Sequence, residues 1–272
     1  MKGVILAGGK GLRLYPLTKV TNKHLLPVGK EPMIFNPIHK LVECEIKDIL
    51  IVSDAEQMGS IVNLLGSGLE FGCNFTYRAQ EAPLGIAHAL SLAEDFAKND
   101  KIVVILADNI TTGSIKKFVD NFALQPKGAK VLLKKVDNPS RYGIAAIDEQ
   151  QVLEIQEKPN KPKTNFAVIG YYMYDSSVFE VIKNMKPSAR GEFEITDVNN
   201  VFAQRGELTY DFLEGEWTDA GTFESLLYAN QLFLKATDME KGAMSSKVSE
   251  AQIKDMISFH EKKIEQLKKF LH

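Results

Sequence analysis

Short apolar runs and longer amphipathic stretches take turns along the first part of the chain. Val4–Ala7, Ile49–Val52, Phe75–Tyr77 and Ile102–Leu106 have the length and apolar content of buried strands. Between them, Met33–Cys44, Met58–Leu65 and Ala87–Phe96 repeat their apolar residues at helical spacing. This β-α-β-α order predicts a parallel sheet covered by helices on both faces. The rhythm changes after Asp108. Ser114–Ala123 reads as a helix and Lys130–Val136 as a strand. Gly143–Ile147 and Val152–Ile155 flank the turn Asp148–Gln151 and read as a hairpin. Phe166–Tyr174 is a further strand, and Ile195–Arg205 and Thr222–Leu234 are further helices.

The first strand runs into Gly8-Gly9-Lys10-Gly11, with Arg13 close behind. Glycines let the backbone turn sharply and bring bare N–H groups to a ligand. Arginine adds a planar fork of donors suited to phosphate. A glycine turn after the first strand of an α/β chain is where nucleotide phosphates sit. Neither common device is present. A dinucleotide fingerprint starting at Gly9 would need glycine where Leu14 stands, and no G-x-x-x-x-G-K-[ST] run exists.

Composition narrows the field. The 272 residues are enough for one large α/β domain, or one with a small appendage. A net charge of −2 argues against a general nucleic-acid binder. Cys44 and Cys73 stand far apart without histidines at metal spacing, which predicts buried reduced thiols. No run approaches the ~18 apolar residues of a membrane span, and the N-terminus has no signal-peptide layout. The cytoplasm is the expected compartment, with no membrane partner.

Several positions carry candidate chemistry. Asp108 follows an apolar strand, where a carboxylate faces the ligand crevice of a parallel sheet. One carboxylate plus phosphate oxygens is the usual way proteins hold Mg²⁺; capping the next segment is the alternative use. Lys23 lies in Thr21–Pro27, either as a phosphate ligand or as a solvated loop residue. Glu157-Lys158-Pro159 suits a phosphorylated sugar, with the ammonium on phosphate and the carboxylate on hydroxyls. Arg190, Glu192, Glu194 and Asp197 crowd the approach to a helix, where acidity also favours the N-terminus. Trp217-Thr218-Asp219-Ala220-Gly221 offers a second carboxylate at a turn. Separated aspartates with an arginine and two lysines suit charge stabilisation in phosphoryl or nucleotidyl transfer. No hydrolase elbow is present.

These residues, taken in order, resemble the sugar-1-phosphate nucleotidyltransferases, most closely the glucose-1-phosphate thymidylyltransferases. The resemblance spans about residues 1–234 and rests on Leu6–Pro16, Asn22–Pro27, Ala107–Asn109, Glu157–Pro159, Pro187–Asp197 and Trp217–Gly221. It implies a Rossmann-like three-layer α/β/α sandwich with sugar-binding insertions. It also implies a reaction that joins a nucleoside triphosphate to a sugar 1-phosphate and releases pyrophosphate. By resemblance, Arg13 neutralises the triphosphate, Lys23 assists the leaving pyrophosphate and Lys158 holds the sugar phosphate. Asp108 and Asp219 match the pair that holds catalytic Mg²⁺. Glu157 matches a sugar-hydroxyl ligand, and Gly143, Val168 and Tyr172 fall where the family lines the sugar pocket. Leu6, Gly8, Gly9, Gly11, Gln80, Gly85 and Asp108 fall on the nucleotide side, Gln80 and Gly85 at the pyrimidine. A glutamine amide can accept from the ring N–H and donate to a carbonyl, which thymine and uracil both satisfy.

The chain departs from the family pattern at Leu12, Leu84, His88, Ala107 and Ile169. These changes bear on nucleobase and sugar choice. Three readings stay in play: dTTP with glucose 1-phosphate, UTP or another sugar phosphate on the same fold, and a catalytically silent regulatory subunit. The family is commonly oligomeric, so a homo-oligomer is expected.

The division expected from sequence is a catalytic domain over residues 1–235, a polar connector over 236–247 and a C-terminal helix over 248–272. That last helix is expected from a capping-box pattern at Ser249–Gln252 and an apolar stripe from Ile253 to Leu271. Its apolar face is expected to pack on its own domain or on a neighbouring subunit.

Overall fold

A computed structural model describes residues 1–244, with side chains through Leu234. Two units are distinguished, Met1–Asn230 and Gln231–His272. Every candidate site residue lies in the first.

The expected rhythm is present. Strand β1 is Lys2–Leu6, and a small ribbon of β2 (Pro27–Val28) and β3 (Glu31–Pro32) precedes helix α1 (Phe35–Glu43). β4 (Asp48–Asp54), α2 (Ala55–Leu65) and β5 (Asn74–Gln80) follow. The helix expected over Ala87–Phe96 is instead two short pieces, α3 (Ile86–Ser91) and α4 (Glu94–Ala97). Then come β6 (Ile102–Leu106), β7 (Asn109–Thr111), α5 (Lys116–Leu124) and β8 (Ala129–Lys135). The expected hairpin is β9 (Gly143–Ile147) and β10 (Val152–Glu157). β11 (Phe166–Tyr174), α6 (Ser177–Lys183), α7 (Ile195–Gln204), β12 (Leu208–Phe212), β13 (Trp217–Asp219) and α8 (Phe223–Met244) complete the described chain.

Nine strands form one sheet, ordered β10-β9-β11-β6-β1-β4-β5, with β8 pairing β11 and β12. The half built from β6, β1, β4 and β5 is parallel. Across β11 the pairing turns antiparallel. Alternate side chains of each strand enter opposite faces, as the two-residue period of a strand requires. Val4, Leu6, Val104, Tyr172 and Tyr174 pack with residues of α3, α6 and α7 on one side. Ile5, Ala7, Val103, Ile105, Tyr171 and Met173 pack with residues of α1, α2 and α5 on the other. The result is the three-layer, Rossmann-like α/β/α sandwich expected from sequence.

Two details differ from the sequence reading. Helix α8 was expected to end at Leu234, yet the backbone stays helical to Met244, into the stretch read as a connector. Residues 236–241 are mostly adequate helix formers, and one glycine at 242 costs only about 1 kcal/mol in a helix. The strand β12 and helix α6 lacked a clear periodic signal. The capping box at Ser249 and the apolar stripe of 253–271 lie outside the described residues. Both cysteines are buried and free, and burial pushes the Cys44 thiol up to about 12, so it stays protonated.

Candidate active site

The sheet's carboxyl ends and the antiparallel edge frame two adjacent cavities of about 300 and 270 Å³. Leu106, Asp108, Glu157, Lys158 and Glu194 line both, so they read as two parts of one cleft. Leu6, Gly8, Gly9, Lys23, Gln80 and Gly85 line the first. Arg13, Gly143, Val168, Tyr172 and Asp219 line the second. Gly11 is not a lining residue; its left-handed backbone, φ +60°, starts the short turn Leu12–Leu14 that carries Arg13.

The first cavity grows out of β1, β4 and β5. The phosphate-loop N–H groups were expected to be bare. Instead the Gly9 N–H donates to Asp54 Oδ2 at 2.7 Å, a carboxylate from the end of β4. Asp54 therefore sits where an anion would otherwise sit. Lys23 opens a short 3₁₀ turn whose Asn22 side chain accepts from the His24 N–H at 2.8 Å. Asn22 Oδ1 also meets His24 Nδ1 at 2.8 Å. Burial and the Lys23 charge push His24 down to about 3, so it remains neutral and Lys23 is the cation of this turn. Lys23 Nζ lies 2.6 Å from Asp108 Oδ2, with the two side chains 14% and 16% exposed. Burial opposes the Asp108 charge, but the cationic Lys23 beside it and the hydrogen bonds from Lys23 and Asn109 win. They hold the carboxyl well below the usual carboxylate range.

At the far end of this cavity Gly85 has φ +100°, and a Cβ there would come within 2.6 Å of the Phe193 carbonyl oxygen. Only glycine fits this crossing, which brings the loop before α3 against the segment leading to α7.

The second cavity depends on a long-range pairing. β7 and β13 are antiparallel, with Asp219 opposite Asn109. The Ala220 N–H donates to the Asp108 carbonyl at 2.8 Å. This pairing brings together two carboxylates from distant motifs. Burial and the neighbouring Asp108 charge raise Asp219. Tyr142 donates its hydroxyl to Asp219 Oδ1 at 3.0 Å, and Arg141 approaches Asp219 Oδ2 at 3.7 Å. Burial and the Asp219 charge push Tyr142 up to about 12, so the hydroxyl keeps its proton. The Arg13 guanidinium lies over Gly221, 2.8 Å from where a Cβ would stand. It thus reaches the second cavity, on the Asp219 side.

Asn109 is the hub beneath. Its Oδ1 accepts from the Gly170 N–H at 2.8 Å and from Trp217 Nε1 at 2.9 Å, while its Nδ2 donates to Asp108 at 3.0 Å.

Glu157 and Lys158 end β10 and face the join of the cavities. Thr196 donates to Glu157 Oε2 at 2.7 Å, and Lys158 Nζ lies 3.2 Å from Glu157 Oε1. Lys158 has φ +44°, a left-handed conformation uncommon for lysine. Such strain gathers at functional sites. The Lys158 N–H donates to the Tyr142 carbonyl at 3.0 Å, tying the two segments together. Arg190 lines the first cavity and pairs with Glu194 at 2.9 Å. Burial and the Glu157 charge raise Tyr172, which stays neutral.

The cleft thus gathers the expected residues apart from Gly11, and adds Asp54, Arg141, Tyr142 and Arg190. Arg190 lay inside a recognised motif, but it was given no role of its own there. Arg141 and Tyr142 directly precede Gly143, yet nothing in their local spacing marks them.

Residues 2–236 match the family described as nucleotidyl transferase. The chain is 43% identical over 230 residues to the glucose-1-phosphate thymidylyltransferase of Neisseria meningitidis serogroup A, covering 83% of this chain and 80% of that one. A crystal structure of a Bacillus anthracis protein assigned as a glucose-1-phosphate thymidylyltransferase, in complex with a sucrose, is 58% identical with a TM-score of 0.83. That match covers 85% of this chain and 94% of the other. UDP-glucose pyrophosphorylase complexed with UDP-glucose is 26% identical with a TM-score of 0.77, covering 86% and 98% of the two chains. The chain belongs to the nucleotidyl transferase family.

Proposed function

We propose that the protein transfers the thymidylyl group of dTTP to glucose 1-phosphate, giving dTDP-glucose and pyrophosphate. One observation carries the reading. A single cleft has a glycine loop and Gln80 in one cavity, Tyr172 and Asp219 in the other, and Asp108, Glu157 and Lys158 where the two meet. The names of the relatives above support the substrate pair.

The chemistry needs no general base, because the attacking sugar-phosphate oxygen is already an anion. What opposes it is repulsion between two anions and charge building at the α-phosphorus. In this reading Arg13 and Lys23 meet the triphosphate, Lys23 also following the leaving pyrophosphate. Lys158 holds the sugar phosphate in line with the α-phosphorus. Glu157, oriented by Thr196, accepts from sugar hydroxyls, while Gly143, Val168 and Tyr172 shape that pocket. Leu6, Gly8, Gly9 and Gly85 flank the nucleoside.

Asp108 and Asp219 fit a divalent cation such as Mg²⁺. Two half-buried carboxylates whose charges oppose each other, with Asp219 raised by Asp108, form a site that a cation relieves. The described residues hold no cluster of three or more ligating His, Cys, Asp or Glu side chains, so substrate oxygens would complete the set. When bound, the ion supplies charge neutralisation at the phosphates.

No helix among the described residues is long and apolar enough to cross a membrane. We place the enzyme in the cytoplasm as a homo-oligomer acting on small substrates, with no nucleic-acid or membrane partner. The intact cations and carboxylates argue against a silent subunit.

A second reading, uridylyl transfer, is favoured by the likeness to UDP-glucose pyrophosphorylase, since Gln80 suits uracil as well as thymine. A grid of nucleoside triphosphates against sugar 1-phosphates, read by pyrophosphate release, tests both. The expected result is the highest kcat/KM for dTTP with glucose 1-phosphate. A higher value for UTP selects the second reading, and efficient use of a purine nucleotide overturns both.

A further inference from the structure

Gln80 ends β5 almost wholly buried, at the wall of the first cavity. Its Nε2 carries two hydrogens. Nε2 lies 3.4 Å from the Gly85 carbonyl oxygen and 2.9 Å from Nδ1 of His88. A carbonyl oxygen only accepts, so the Gly85 contact fixes nitrogen on this side of the amide. The Nδ1 that faces it is then the lone-pair nitrogen of a neutral ring, with the ring proton on Nε2. Oε1 turns the other way, 3.3 Å from where a Cβ on Gly8 would stand. Gly8 lines the same cavity as Gln80. His88 itself is not a lining residue. It stands on α3, with its ring 6.4 Å from that of Phe193.

We propose that His88 sets nucleobase specificity as a positioning residue. Its ring nitrogen anchors the Gln80 amide with the oxygen turned to the base, so the site accepts a pyrimidine with N–H at ring position 3 and rejects cytosine. This rests on the reading of Gln80 as the base-reading residue and sharpens it. With both Nε2 hydrogens engaged, the amide has no hydrogen left for a base carbonyl. It reads the ring N–H alone. Thymine and uracil present a donor there, whereas cytosine presents a lone pair that Oε1 repels. Turning the amide over would set Oε1 against the Gly85 oxygen and would force the His88 ring either to move its proton from Nε2 to Nδ1 or to face Oε1 with a lone pair. Removing the His88 acceptor leaves only the longer Gly85 contact to resist that turn. The amide can then present its nitrogen to cytosine.

The test uses the full-length protein with glucose 1-phosphate as co-substrate. KM for dTTP and the inhibition constant of dCTP against dTTP are measured in the native protein, H88L, H88A, H88Q and Q80M. The ratio of the dCTP constant to the dTTP constant reports discrimination. H88L is expected to lower that ratio about tenfold, the effect of one ordinary hydrogen bond, through both a higher KM and tighter dCTP binding. H88Q retains an amide oxygen as acceptor and is expected to hold the ratio within about twofold of native. H88A removes the acceptor without bulk and is read as H88L is, including when H88L does not fold. A native ratio in H88L and H88A beside a collapsed one in Q80M overturns the role of His88 and leaves Gln80 standing. A native ratio in Q80M overturns the reading of Gln80, and the anchoring role with it. Equal losses in H88L and H88Q trace the effect to ring packing on Phe193 and overturn the anchoring role.

Discussion

The two halves of the sheet solve recognition differently. The parallel half offers what strand ends and a glycine loop provide directly. Leu6, Asp54, Gln80 and Asp108 each stand at or just beyond the carboxyl end of a neighbouring strand. The antiparallel half assembles its wall from segments far apart in sequence. Asp219 reaches the cleft because β13 pairs with β7, Glu157 is oriented by Thr196 from α7, and Tyr142 bridges to both Asp219 and Lys158. In the first half a ligand site follows from topology. In the second it follows from particular side-chain contacts, so it is the half where single substitutions retune what binds.

The two carboxylates proposed to hold the divalent cation, Asp108 and Asp219, stand between the halves, and their loss has the largest expected effect. D108N and D219N should each lower kcat about a thousandfold, several kcal/mol of transition-state stabilisation, and D108N should also lower the melting temperature, because it leaves Lys23 without its buried partner. Pyrophosphate release at saturating Mg²⁺ checks this, and a near-native rate in either variant removes that residue from the role.

N109A strikes the buried hub that joins the halves. It strands the Gly170 N–H and the Trp217 indole N–H and withdraws a donor from Asp108. Unmet buried groups of this kind cost about 3 kcal/mol together, measurable as a lower denaturant midpoint. A stability within experimental error of native would show that water or repacking replaces Asn109.

G85A acts from the parallel half, at its crossing with the segment leading to α7. Its methyl group would meet the Phe193 carbonyl oxygen at a φ that disfavours alanine, a strain of about 1–2 kcal/mol. KM for dTTP should rise while KM for glucose 1-phosphate holds. Equal rises in both would show that this crossing shapes the whole cleft.

The same contrast decides what the sequence made legible. Strand period, the glycine loop and the Asp108 strand end are local signals, and each was found where expected. Asn109 looked like a mere neighbour of Asp108, because its other two partners, Gly170 and Trp217, come from chain segments that only the fold unites. β7 and β13 are too short to show a period. Tyr142, Arg141 and the Gln80–His88 contact escaped for the same reason. The Gly9 N–H looked free because nothing local reveals that Asp54, from the end of another strand, would take it. The break between α3 and α4 fell inside a stretch whose apolar spacing suits one continuous helix.

The central claim is that one cleft holds a nucleoside triphosphate on its parallel side and a sugar phosphate on its antiparallel side. Steady-state KM values for both substrates in K158A and Q80M test it most directly. The predicted result is a crossed pattern. K158A raises KM for glucose 1-phosphate about tenfold or more, as loss of a charge-assisted contact implies, and leaves dTTP near native. Q80M does the reverse. Two variants that raise the same KM by the same factor would contradict the account.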